Sequence, residues 1–243
     1  MFTILRKELN AFLYSLTGYL VMGVFLLASS LFLWIFPGTY NIPDSGYASI
    51  DPLFMLSPWL FMFLMPAITM RSFAEEIRTG TLELLLTKPI GIWQVISGKY
   101  LATIALLVLC LIPTLISYYA VAELGAPQNN VDTGAMWGSY IGLLLLGAAY
   151  GAIGIFASAI TSNQIVAFVI GVFLSFFFYV GFESLSSLHL FGIADYVFIK
   201  MGMNEHYISL SRGVIDSRDM IYFLSLILLF LVGSKILIEH RRR

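Results

Sequence analysis

Between Glu8 and Asp44 the chain carries no charged side chain, and the apolar run inside that interval, about residues 14–36, is long enough to cross a bilayer as one helix. A run of that length fixes what the chain can fold into. Hydrocarbon offers no water to the backbone, so a spanning segment must satisfy its own N–H and C=O groups, which a helix does within itself. Five further runs repeat the pattern, at about 53–70, 100–122, 136–160, 165–181 and 220–238. With 59% hydrophobic and 11% charged residues over 243 positions, and a mean hydropathy of +0.90, the apolar surface exceeds what a water-soluble domain of this size can hide. The expected fold is all-α: a single transmembrane domain of six helices in the lipid bilayer. Arg6 and Lys7 ahead of the first run have the layout of a secretory leader, but the run is too long for a leader's apolar core and others follow it.

Charge placement sets the expected orientation. Ten of the thirteen Lys and Arg residues fall at the N-terminus (Arg6, Lys7), in the loop after the second span (Arg71, Arg78, Lys88, Lys99) and at the C-terminus (Lys235, Arg241, Arg242, Arg243). A six-span topology puts these three regions on one side, and the bias toward positive charge makes that side, with both termini, cytoplasmic. Pro58, Pro66 and Pro113 are expected to kink their spans. Thr161 to Gln164 leave room only for a tight antiparallel hairpin. Residues 182–219, which mix apolar side chains with His189, Asp195, Lys200, Glu205 and Arg212, read as an outer amphipathic segment of one or two interfacial helices.

The loop 71–99 carries the strongest signal. Ser72 and Glu75 have capping-box spacing, and Pro89 ends the segment. As one continuous helix it gathers Phe73, Ile77, Thr81, Leu84 and Leu85 on one stripe. Glu75, Glu76, Arg78, Thr79 and Glu83 fall on the other face, with Leu82 and Leu86 among them. Helices that lie on membranes favour Lys and Arg on the polar face, and three glutamates are poorly matched to an anionic leaflet. A protein partner with basic residues, whose groove takes Leu82 and Leu86, explains the pattern better.

Other chemistries are poorly supported. Ser97-Gly98-Lys99 resembles the end of a phosphate-binding loop, but Trp93 stands where that loop needs glycine. His189, His206 and His240 are isolated, so no metal site is expected, and no cofactor motif is present. Cys110 lies in an apolar run as a small buried hydrophobe. A net charge of −1 gives no footprint for nucleic acid. Charged residues sit near span ends, which disfavours ion coupling. Gly138, Gly142, Gly147 and Gly151 form two small-xxx-small pairs for helix packing, within the chain or against a second copy. Phe176 to Tyr179 read as an interfacial aromatic belt.

The string R-S-F-A-E-E-I-R-T-G-T-L-E-L-L-L-T-K-P-I, followed by Ser97-Gly98-Lys99, resembles the cytoplasmic signature of ABC-2 type transporter permeases. The likeness extends to S-R-G-V-I-D-S-R-D-M-I-Y-F at 211–223 and to the basic tail. Within that family it is most similar to the gliding-motility permeases of the Bacteroidetes. The resemblance implies an ABC-2 permease architecture in a bacterial inner membrane, with no ATPase site of its own. It implies a coupling helix that contacts a cytoplasmic ATPase subunit through Phe73, Glu75, Glu76, Ile77, Arg78, Leu82, Glu83 and Leu86. It also implies an amphipathic connecting helix over Thr3 to Phe12, a second permease copy or paralogue, and an auxiliary membrane protein. The rival expectation is a non-transporting scaffold that passes ATPase motion to periplasmic proteins.

Overall fold

The computed structural model describes residues 1–87, 89–126, 131–187 and 195–241. Lys88, residues 188–194 with His189, and Arg242 and Arg243 lie outside the described residues, and the side chains of Thr17 and Leu86 are likewise not described.

Helix α1 (Phe2–Leu13) is amphipathic and meets α2 (Leu16–Trp34) at a bend of 68°; Ser15 caps α2 by accepting from the Gly18 N–H. A short helix α3 (Ile42–Ser45) turns the chain into α4 (Asp51–Thr69), which runs through Pro58 and Pro66 without ending. Helices α5 (Ala74–Arg78) and α6 (Thr81–Leu86) follow, then α7 (Ile92–Leu111). Pro113 removes an N–H donor, and there α7 gives way to a single 3₁₀ turn, Ile112–Thr114, before α8 (Leu115–Leu124). Asp132 caps α9 (Thr133–Ile160) and Asn163 caps α10 (Gln164–Phe176) across the expected hairpin. A π turn, Phe177–Gly181, carries α10 into α11 (Phe182–Ser187). Helices α12 (Asp195–Met201), α13 (Met203–Ser211) and α14 (Ser217–Arg241) complete the described chain.

The described residues are all-α, with no strand. Five stretches are long and apolar enough to span a membrane, and the bent pair α1–α2 supplies a sixth. The chain is a multi-pass membrane protein. Helix α9 is the axis: α4, α7, α10, α13 and α14 all pack on it, and most of its residues are buried. Contacts along its length fix direction. Phe61, Met65 and Thr69 of α4 meet Gly147, Gly151 and Gly154 in rising order, so α4 runs parallel to α9. Leu107 and Thr103 of α7 meet Gly147 and Gly151 in falling order, so α7 is antiparallel. Arg241 ends α14 beside the end of α9, donating to the Ile160 carbonyl at 2.7 Å.

Four expectations are corrected. Ser72 and Glu75 form no capping box: Phe73 stands at the N-cap of α5 without a side-chain bond, because the chain leaves α4 through tight turns instead of starting afresh. Residues 73–86 are not one helix, because Gly80 adopts a left-handed φ of 71° and separates α5 from α6. The third helix begins at Ile92, so Lys99 sits two turns inside it and not in a loop. Tyr179 is buried against Trp59 and Tyr150 in place of a belt position, the π turn having rotated it inward.

The segment 182–219 also does more than rest at an interface. Met203, Tyr207 and Leu210 of α13 are buried, and the Tyr207 hydroxyl donates to the Phe54 carbonyl at 2.7 Å. A Cβ placed on Gly142 would lie 2.6 Å from Leu210 Cβ, and one on Gly138 would lie 2.6 Å from the Gly213 carbonyl oxygen. The missing side chains on α9 are what let α13 and the turn after it seat on the bundle.

Candidate functional site

At the end of the bundle where α4 finishes and α7 begins, α1 lies across α7. The crossing point is Gly98, where a Cβ would meet Ile4 Cβ at 3.1 Å and the Met1 carbonyl at 3.2 Å. Glycine therefore sets how close α1 can come. The next residue, Lys99, has a side chain only 2% exposed. Isolating a cation there is costly, and the fold answers with full use of its three donors. The Lys99 ammonium donates to Glu8 Oε1 of α1 at 2.9 Å, to Glu76 Oε1 of α5 at 3.0 Å and to the Ser72 carbonyl at 2.6 Å. The Phe73 ring closes another side at 5.0 Å. Lys7 balances the second carboxylate, 3.4 Å from Glu76 and 3.8 Å from Glu8. One buried ammonium thus ties together α1, the turn after α4, α5 and α7. Beside it opens a groove of about 240 Å³ between α1 and the α4–α5 turn, lined by Lys7, Phe12, Ile68, Arg71 and Glu75 among others.

From this anchor the chain projects an elbow. The Thr79 hydroxyl donates to the Glu75 carbonyl at 2.8 Å, closing α5, and lies 2.9 Å from the Thr81 hydroxyl at the start of α6. Gly80 between them turns the direction. The eight residues expected at a partner contact divide accordingly. Phe73 and Leu82 are buried within the chain, Ile77 is half-buried, and Glu76 is committed to Lys99 and Lys7. Arg78 and Glu83 are exposed and Glu75 is half-exposed; Glu75 and Arg78 are 3.8 Å apart. Leu86 ends α6 with a side chain outside the described set. Leu84, expected on the stripe opposite the glutamates, is 67% exposed. The acidic, leucine-bearing face offered to solvent is therefore Glu75, Arg78, Glu83 and Leu84.

The four glycines of α9 meet neighbours in this chain: Gly147 faces Leu107, and Gly151 faces Met65 and Thr103, alongside the Gly138 and Gly142 contacts to the α13 region. Ser97, Gly98 and Lys99 lie inside a helix, where Gly98 and Lys99 serve contacts between helices. Lys99 is the residue that reading by segments missed. Its signal was partial: a lysine directly after glycine and directly before an apolar run stands at the edge of a span, and Glu8 and Glu76 fall on the same side of a six-span topology.

Fold and site together define a polytopic membrane subunit with an exposed elbow held at one end of the bundle by a buried charge cluster. The chain matches the family described as ABC-2 family transporter protein over residues 3–191, from α1 through α11, and it belongs to that family. The family comprises the permease components of ABC transporters, which work with a cytoplasmic ATPase. No curated protein matches the chain.

Proposed function

We propose that the α5–α6 elbow is the surface through which the cytoplasmic ATPase subunit drives this permease. The observation that carries the reading is the Lys99 cluster. A push delivered at the elbow reaches α1 and α7 through one shared ammonium, so the loop has no soft joint at its root. The half-exposed Glu75 and the exposed Glu83 and Leu84 fit a basic ATPase surface with an apolar slot. The α1 end lies in the cytoplasm on this reading, as the Lys and Arg bias asks, and the membrane is the bacterial inner membrane. A second permease copy or paralogue completes the transport path, and ATP-driven closure tilts one permease against the other. A photoreactive residue at Leu84 cross-links to the ATPase subunit, whereas one at Ile208, at the opposite end, does not; the reverse pattern contradicts the proposal.

The finer assignment, to a complex required for gliding motility with an auxiliary membrane protein, rests on the likeness of residues 71–100 and 211–223 to the gliding-motility permeases. Its test is direct: cells lacking the chain cease to spread over surfaces, and unchanged spreading contradicts it.

A further inference from the structure

The opposite end of the bundle contains a charged pair that plays no part in this coupling. His206 of α13 places Nδ1 2.7 Å from Asp219 Oδ1, in the first turn of α14, and Nε2 3.0 Å from the Lys200 carbonyl of α12. Both ring nitrogens face oxygen acceptors. A neutral imidazole has one N–H and one lone pair, so in either tautomer a lone pair would point at an oxygen. The geometry is satisfied only when the pair holds one proton beyond neutral histidine and free carboxylate, that proton lying between Nδ1 and Asp219 while Nε2–H donates to the Lys200 carbonyl. The ring also stacks on Tyr222 of α14, centroids 4.0 Å apart at 20°, and the Tyr222 hydroxyl donates to the Met201 carbonyl at 2.6 Å. Asp219 and His206 are both largely withdrawn from solvent.

The neighbouring charges are engaged elsewhere or face solvent. Lys200 of α12 points its ammonium at Glu205 of α13, 2.8 Å away, and this hydrogen bond holds the lysine above the usual lysine range. Glu183 of α11 is tied up by Asn204, at 2.8 Å, and Arg218 of α14 is exposed. Asp219 is thus the carboxylate directly against the ring. We infer that His206 and Asp219 form a proton-dependent clasp that seats the α12–α13 hairpin on α14 and, through Leu210 on Gly142, on α9. Removing the proton leaves one nitrogen facing an oxygen without a hydrogen and releases the clasp, so the outer end of the bundle is closed at low pH and loosened as pH rises.

Two readouts on the full chain in detergent or nanodiscs test this. Imidazole ¹⁵N shifts of histidine-labelled protein, with the His206 signals assigned by their loss in H206F, show both nitrogens protonated at pH 6. Deuterium uptake over residues 203–211, corrected for the intrinsic pH dependence of exchange, rises at least tenfold between pH 6 and pH 9 in step with loss of that signature. In Asp219→Asn the carboxylate is gone, and the rise moves to lower pH by at least one unit. His206→Phe shows fast exchange at every pH. Protection that stays level from pH 6 to pH 9, or a step that H206F retains, overturns the inference. Where H206F fails to fold, an unmoved step in D219N overturns it.

Discussion

The two ends of the bundle are held in different ways. At the α1 end, long-range order comes from charge: Lys99 gathers a carboxylate from α1, another from α5 and a carbonyl from the turn between α4 and α5. At the opposite end shape leads and a single charged pair assists: α13 and the turn after it drop onto α9 where Gly142 and Gly138 leave no side chain, the Tyr207 hydroxyl is spent on the Phe54 carbonyl, and His206 meets Asp219 at 2.7 Å. A charge cluster fails as a unit, because losing one member leaves the others buried without a counter-ion. A steric seat fails locally, in proportion to the atoms forced into it. An element that must transmit motion is better served by the first, and one that must seal by the second.

The largest effect that separates the two ends is expected at the cluster. Lys99→Met strands Glu8 and Glu76 against each other and costs about 3–5 kcal/mol, read as a drop in thermal midpoint in detergent. Adding Glu8→Gln and Glu76→Gln to that variant recovers most of the loss, because the uncompensated charges, and not the lysine stem, carry it. A loss unaffected by the two glutamines would make Lys99 merely a space filler. Next in size is Gly142→Leu, which drives a side chain into Leu210 and costs about 1–3 kcal/mol, with proteolytic cleavage appearing first within 203–211. Its control is Gly23→Leu in α2, where a Cβ meets nothing within 4 Å and the change stays within about 0.5 kcal/mol. The smallest is Gly80→Ala at the elbow. A left-handed φ of 71° suits glycine, and alanine there costs about 1 kcal/mol, seen as a few-fold weaker recovery of the ATPase subunit with thermal stability little altered.

The spans were legible because each is a charge-free apolar run, a property of neighbours in sequence. The caps at Asp132 and Asn163 are equally local. Legibility ended where contacts join distant residues. Nothing local distinguishes Glu76, sealed against Lys99, from Glu75, which faces solvent one position away, since the difference lies in where α1 and α7 cross. Gly80 lies inside the stretch that helix periodicity joined into one helix, and its left-handed φ is what separates α5 from α6. The segment 182–219 looked interfacial because its apolar residues are interrupted by charges; those charges pair with one another, Lys200 with Glu205 and His206 with Asp219, and so permit α13 to sink. Reversing Glu75 together with Glu76 would confuse two effects, docking and the integrity of the cluster, whereas Glu75 and Glu83 make no bond to Lys99 and leave its carboxylates in place.

The most direct measurement is therefore recovery of the ATPase subunit with the purified permease carrying Glu75→Lys and Glu83→Lys, beside a permease carrying Glu123→Lys at the opposite end. The account predicts at least a tenfold loss of ATPase for the elbow variant, unchanged recovery for E123K, and an unaltered thermal midpoint in both. Full recovery of the ATPase with the elbow variant would contradict it.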